Sequence, residues 1–500
     1  MPCPRTTVDT LAVGAATALV FAVATAVYKP CLESGREFLS LDDGENFLHE
    51  HAVELDRASL RWLLVDGVVL GTREPLASVV KLGVVRGDVG TALQVNVLLH
   101  ALNASFACAL SWRLVQQNQE VVRGSMTAAA ANMVAALATS LHPVCVEAVA
   151  WCSCQPVLLA AWFSLVGAHL HLNGHRFASA ALLACACLCK ATSVSVPLAF
   201  ILYVACDYVV CAGNNPGAIS YRPLRCVAAV CWQRLDLIAV SLLGIALATA
   251  ASLDDPDPGR RPVELHERGL RGICAPFFYL YKLGRPVGLS TRYLLPHDAP
   301  LSSSELSVGI PATAAILMHS GALLWWLHGP STTSCSRIRY RICSCWLGWC
   351  LLLLPTLGLL SSHATDLFAA DRYVYIPLML LGTPCLGGLL TSMAVRALQA
   401  VDDGRRGGSA CAATLACCVG VLLLSGGLGL LGRLTFDLQD VWTNDRALYR
   451  HMLIHNPNDL LAHNNNAAWL QRAGRLTEAV AAYDELLALE PKHARGATYK

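Results

Sequence analysis

Two adjacent carboxylates, Asp42 and Asp43, stand in the run Leu41-Asp42-Asp43-Gly44-Glu45-Asn46-Phe47. Two such acids held near a membrane surface repel each other. One takes a raised pKa and can act as a base, while its neighbour orients an acceptor or a cation. Taken alone, an acid pair in a polar loop is usually solvated or a helix cap, so its meaning depends on the surroundings. Cations that could meet an anionic group occur at Lys282, Arg285 and Arg372. Their bland readings are that Arg372 pairs with Asp371 at a helix start, and that Lys282 and Arg285 snorkel to headgroups. His142 and Glu147 fall at a loop-to-helix junction where Pro143 suits a first-turn position. Glu147 either helps hold an acceptor or the acidic loop, or answers the helix dipole. His100 and Asn103 lie in an otherwise apolar helix, where lipid offers polar groups no partners; fastening helices together is the favoured role.

These residues must be positioned by a membrane body. Of 500 residues, 55% are hydrophobic and only 14% charged, and the mean hydropathy is +0.49. A soluble chain carries roughly a quarter of its residues as charges, so a cytosolic or secreted globular enzyme is excluded. The formal charge of +2 gives no field for DNA or RNA, and no nucleic-acid partner is expected. The 22 cysteines, among them Cys185, Cys187, Cys189, Cys345 and Cys350, lie largely in or beside apolar runs and read as small hydrophobes. Cys152 and Cys154 have the wrong spacing for a zinc pair, and no metal site or cofactor is expected.

A spanning helix needs roughly 20 apolar residues. Candidates fall at 11–28, 91–115, 126–141, 157–173, 177–190, 193–212, 235–252, 309–328, 344–361, 374–395 and 411–432. A further stretch at 273–290 carries Lys282 and Arg285, each costing about 2.5–3.5 kcal/mol at mid-membrane, and is expected to be partly inserted or interfacial. With the amino terminus cytoplasmic, its side collects Arg123, Arg222, Arg225, Arg234, Arg337, Arg339, Arg341, Arg396, Arg405 and Arg406. The opposite side receives the acidic 29–90 loop, His142 to Pro156, the Asp254-to-Pro258 stretch, the loop with Asp366, Asp371 and Arg372, and the carboxyl end. One glycosylation signal, Asn103-Ala104-Ser105, falls inside a membrane helix and does not report topology.

Past Gly432 the composition turns polar and helical. Asn456-Pro457-Asn458 recurs as Glu490-Pro491-Lys492, 34 residues on, which is the tetratricopeptide period. Ala467, Leu470, Gly474, Ala479, Tyr483 and Pro491 fall where two nested antiparallel helices need small, large, turn, small, aromatic and stopping residues. Arg446 to Ile454 reads as the second helix of a preceding repeat and Ala494 to Lys500 as the start of another, so the repeat region is expected to be incomplete. The expected organisation is a first membrane helix at 1–28, an acidic lumenal loop at 29–90, a polytopic membrane domain at 91–432 and a repeat region at 433–500.

Leu41 to Phe47, Asn96 to Ala104, His142 to Trp151, Cys189-Lys190 and Asp371 to Pro377 occur in an order that resembles one family. The chain is similar, over nearly its whole length, to the transmembrane and tetratricopeptide-repeat protein O-mannosyltransferases and their bacterial relatives. The resemblance implies an all-α polytopic bundle of GT-C-like fold with about 11 spans, followed by a tetratricopeptide α-solenoid segment. It implies transfer of mannose from dolichyl phosphate mannose to Ser or Thr of acceptor proteins at the endoplasmic reticulum membrane, with the repeats in the lumen. By the same resemblance Asp42 and Asp43 are catalytic. Asn46, His142, Glu147, Lys282, Arg285, Asp371 and Arg372 would bind substrate, Arg372 meeting the departing phosphate. Partners would be the lipid-linked sugar, membrane lipids, and acceptor proteins held by the tail. The chain departs from the family pattern at Gln155 and Val157, where relatives carry an Arg and an Asp, and at Ala191, where an acid often follows the lysine. Those departures favour the rival reading of a catalytically inactive, membrane-anchored scaffold for protein interaction. A transporter would need charges buried mid-helix and paired broken helices, whereas the polar groups gather in loops.

Overall fold

A computed structural model describes residues 7–48, 57–62, 67–68, 72–117, 126–212, 223–254, 265–294, 312–328, 333–357, 367–407 and 410–491. Arg123, Arg222, Asp255 to Pro258, Asp366, the acids Glu50, Glu54 and Asp56, and Ala494 to Lys500 lie outside the described residues. The described chain is mostly helical. Five helices are long and apolar enough to cross a membrane: Asp9–Val27, Val89–Gln117, Cys152–Leu172, Asp371–Val401 and Cys418–Trp442. Two bent pairs pass the same test together: Met126–Ser140 with Pro143–Ala150, bent by 54°, and Val227–Gln233 with Leu235–Ala250, bent by 82°. The expected spans at 177–190, 193–212, 309–328 and 344–361 correspond to shorter apolar helices at Arg176–Cys189, Ala191–Cys206, Ala315–Trp325 and Arg341–Thr356.

The 29–90 stretch is not simply a polar loop. It contains a further apolar helix, Pro75–Val80, continued by a wider turn through Val85, with Ala77, Leu82 and Val85 buried. This segment packs against Arg176–Cys189, so part of the region read as lumenal loop belongs to the helical body. Most of the 273–290 stretch belongs to an amphipathic helix, Leu265–Gly284, which buries Cys274, Ala275, Phe277 and Tyr279. After it, Tyr293–Leu294 pairs antiparallel with Leu367–Ala369 and brings the chain just before Asp371 beside the chain leaving that helix.

The main core surrounds the segment from Val144 to Leu165, in which Cys145, Val146, Val149, Cys154, Leu158 and Leu165 are fully enclosed. Apolar packing alone does not fix how membrane helices register, since lipid tails are as apolar as leucine. Polar groups supply that information here. The His100 Nε2–H donates to the Ser140 carbonyl at 3.1 Å, and Nδ1 accepts from the Tyr375 hydroxyl at 2.8 Å, a tautomer assigned from the carbonyl partner. Asn103 donates to the Leu158 carbonyl at 3.0 Å. Both residues fasten neighbouring helices.

The C-terminal region contains three helices, labelled α1 (Asp445–His455), α2 (Leu460–Arg472) and α3 (Leu476–Leu489). Asn444 caps α1 through the Ala447 amide, and Asp459 caps α2 through the amides of Leu461 and Ala462. Gly474 makes the turn between α2 and α3 at φ +73°, a conformation costly for residues with a Cβ. The two helices then bury Ala467, Leu470, Ala479, Ala482, Tyr483 and Leu486 against each other. This unit is joined to the first acidic segment. Arg36 donates to the Gln439 and Trp442 carbonyls at 3.3 and 3.4 Å, and the Glu37 amide donates to the Thr443 carbonyl at 3.2 Å. The Ser40 amide donates to Asp445 at 2.7 Å.

Candidate active site

The acidic run forms one short helical turn, Asp43–Phe47, with Asp42 at its amino end. Phe47 is buried and stacks on Phe38 with ring centroids 5.2 Å apart, so the turn is anchored at its far end. The two carboxylates, equivalent in sequence, have opposite surroundings. Asp43 is 1% exposed, and both of its oxygens are engaged. Oδ2 accepts the Leu39 amide at 2.9 Å; Oδ1 accepts the Ser153 amide at 2.9 Å and the Ser153 hydroxyl at 2.5 Å. Asp43 therefore fastens the acidic turn to the loop after Trp151. Asp42 is only partly buried, caps no amide of the turn, and its carboxylate accepts no hydrogen bond among the described residues.

Burial pushes both acids up, each to about 6. For Asp42 the Arg372 guanidinium pulls the other way, the Asp43 charge adds to the rise, and the Lys190 ammonium again lowers it. For Asp43 the lowering comes first from its hydrogen bonds to Ser153 and Leu39. A carboxylate free of hydrogen bonds and held near neutrality is suited to accept a proton from a hydroxyl.

Arg372 reaches this place through a built support. Its guanidinium donates to Glu147 at 2.5 Å and to the Thr291 carbonyl at 3.3 Å, while its own amide donates to the second Glu147 oxygen at 2.7 Å. The guanidinium lies over the rings of Trp151 and Tyr373, 5.3 and 4.8 Å from their centroids. Glu147, almost wholly buried, is thereby committed to holding Arg372. Asp371 is buried as well and accepts the Tyr293 hydroxyl at 2.8 Å.

A second cationic group is gathered around Glu74. Lys190 pairs with Glu74 at 2.5 Å, and Glu74 also stands 4.0 Å from Lys81. Lys81 donates to the Asn46 side-chain carbonyl at 2.6 Å, and the Asn46 amide donates to Ser153 and to the Asp42 carbonyl, both at 3.1 Å. Asn46 thus ties the acidic turn to both neighbours. Burial alone would lower Lys190, but the Glu74 charge more than offsets it and holds the ammonium above its ordinary value.

Of the residues singled out in the sequence, Asp42, Asp43, Asn46, Glu147 and Arg372 converge. His142 instead accepts the Val144 amide at 3.2 Å and donates to the Leu283 carbonyl at 3.0 Å, locking a loop. Lys282 is spent on the Val287 and Gly288 carbonyls at 3.0 and 2.9 Å, and Arg285 on the Tyr281 hydroxyl at 2.8 Å. Neither cation is among the charges acting on Asp42. Lys282 also lies 4.9 Å from the centroid of the Tyr293 ring, whose hydroxyl donates to Asp371. Ser153, Lys81 and Glu74 were not singled out, and Lys190 entered only through a family motif. A lysine at the end of an apolar run, like Lys190, is a signal in its own right. Ser153 carries none. Both amide atoms of Gln155 are buried without a hydrogen-bond partner among the described residues. Among the described residues no group of three or more His, Cys, Asp or Glu could hold a metal ion. Compared with protein-family models, curated proteins and solved structures, the chain matches none.

Proposed function

We propose that the chain is a membrane glycosyltransferase that moves mannose from dolichyl phosphate mannose to Ser or Thr hydroxyls of acceptor proteins in the lumen of the endoplasmic reticulum. The observation that carries this reading is the acidic turn itself: Asp42 accepts no hydrogen bond among the described residues, its neighbour Asp43 is held by Leu39 and Ser153, and the charges of Arg372 and Lys190 act on Asp42. Asp42 takes the hydroxyl proton as the acceptor oxygen attacks the anomeric carbon from the face opposite the phosphate. The bond from that carbon to the phosphate oxygen breaks, its electron pair leaves with dolichyl phosphate, and the sugar is inverted. Arg372 and Lys190 offset the charge gathering on the leaving phosphate. Asp43 keeps Asp42 in place through Ser153.

In this reading the shorter apolar helices complete a bundle of about 11 spans, and the polyprenyl tail of the donor stays in lipid. The hairpin of α2 and α3 is a tetratricopeptide unit, supported by its turn glycine and its small-against-large packing. The contact between Ser40 and Asp445 supports a single compartment for the acidic turn and the tail.

Mannose transfer from a dolichyl-linked donor in membranes, with the intact chain and with Asp42→Asn, tests the proposal. Loss of transfer of at least 100-fold is expected for the substitution, the scale of a general base. Equal O-mannose from both chains would remove the catalytic role. No transfer from either would favour the scaffold reading, which the Gln155 and Val157 that stand where relatives carry an Arg and an Asp support.

A further inference from the structure

The C-terminal helices carry a depression of their own. A groove of about 380 Å³ opens where α1, α2 and the start of α3 meet. Arg446 and Arg450, one turn apart on α1, line one wall; both are exposed, and neither has a partner among the described residues. Across from them stand Trp469 and Arg475, the guanidinium 5.9 Å from the indole centroid. Arg475 donates to both oxygens of Glu478 at 2.7 and 2.6 Å, which leaves Arg446 and Arg450 as the uncompensated charges. Ile454, 64% exposed, adds an apolar wall.

Two unpaired guanidiniums facing an indole and an exposed aliphatic side chain complement a carboxylate next to an apolar residue. A lipid surface is met by cations on an outer face, whereas these line a concavity. The end of α3 lies about 20 Å along its axis from the groove. The groove is also linked to the acidic turn: Arg446 follows Asp445, whose carboxylate holds the Ser40 amide two residues before Asp42. We propose that this groove docks an acidic segment of an extended polypeptide. Its role as the acceptor's anchor rests on the transferase reading above, but its peptide binding does not.

The test is fluorescence anisotropy on the full chain in detergent micelles, with a labelled 12-residue peptide of Glu, Ser and Leu and a matched peptide with Lys in place of Glu. The acidic peptide is expected to bind, to weaken with salt, and to lose about tenfold in affinity with R446Q/R450Q, while R446K/R450K keeps most of it. A larger loss is expected with R446E/R450E, which sets two like charges against the peptide. Equal binding of acidic and basic peptides, no binding, or binding unchanged by removal of both arginines would overturn the proposal. Arginine-dependent binding to phosphatidylserine vesicles without peptide binding would overturn it in favour of a headgroup surface. Because the readout requires no mannose transfer, and the Asp42→Asn chain serves equally well, failure of the groove and failure of the transferase reading are seen separately.

Discussion

The backbone amide of Ser40 donates to the Asp445 carboxylate at 2.7 Å, and the Ser40 hydroxyl meets the Tyr449 hydroxyl at 2.9 Å. Four hundred and five residues apart, the segment that presents the acid pair and the first helix of the tail are one surface. Asn465 on α2 donates to the same Tyr449 hydroxyl at 3.3 Å, so the link extends into the helical hairpin. Asp445→Ala is therefore expected to cost about 1–3 kcal/mol by leaving the Ser40 amide without its acceptor. It should also lower kcat more than it raises KM, because the acidic turn loses its register. Thermal melts and transfer kinetics on the same preparation check both.

The same contact constrains topology. Asn-x-Thr acceptor sites introduced separately at Glu45, exposed on the acidic turn, and at Glu490, past α3, should both be glycosylated in microsomes. Modification of one alone would contradict the joined surface and the proposed lumenal setting together.

Asp42 and Asp43 differ in their attachments, so their substitutions should differ in kind. Asp42→Asn is expected to raise the melting temperature at neutral pH, because it removes a charge that burial penalises, while abolishing transfer. Asp43→Ala removes the acceptor of three hydrogen bonds, and leaving buried donors unmet costs about 1–3 kcal/mol for each group. Its melting temperature should fall along with its activity. An Asp43→Ala chain as stable as the wild type would refute the fastening role.

The pH dependence carries opposite signs for activity and stability. Both acids are raised to about 6 by burial, whereas in the unfolded chain they titrate near 3.8. Between these values the folded chain holds more protons than the unfolded one, so stability falls as pH rises from about 4 through 6. A base must be ionised, so transfer should rise across the same interval, with an apparent pKa near 6 that belongs to the interacting pair. A profile of kcat/KM flat between pH 5 and 7 would remove Asp42 as the base.

Arg372 and Glu147 form a mostly buried pair, and removing one partner strands the other. Glu147→Gln is expected to cost about 3–5 kcal/mol, and Arg372→Met a similar amount, while the double substitution recovers part of the stability and none of the transfer. Arg372→Lys keeps the charge but loses the forked contact with Glu147, and should raise the KM for the donor. Additive losses in the double variant would show that the two do not act as a pair.

The sequence by itself determined the membrane character, because composition and the length of apolar runs are local quantities that lipid reads directly. It also determined the hairpin at the tail, since spacing, Gly474 and the small residues specify a helical turn without help from the rest of the chain. Asp42 and Asp43 stood out as adjacent acids, Glu147 as an acid at a loop-to-helix junction and Arg372 as a cation beside Asp371, each within a motif of the resembled family. Only the tertiary structure decided which acid is free and which is fastened, because that depends on Ser153, an ordinary serine 110 residues away. It likewise withdrew Lys282 and Arg285 to local carbonyl and hydroxyl partners and set Lys190 among the charges acting on Asp42. A charge announces itself in sequence; the partner that consumes it or leaves it available is chosen by packing between segments distant along the chain.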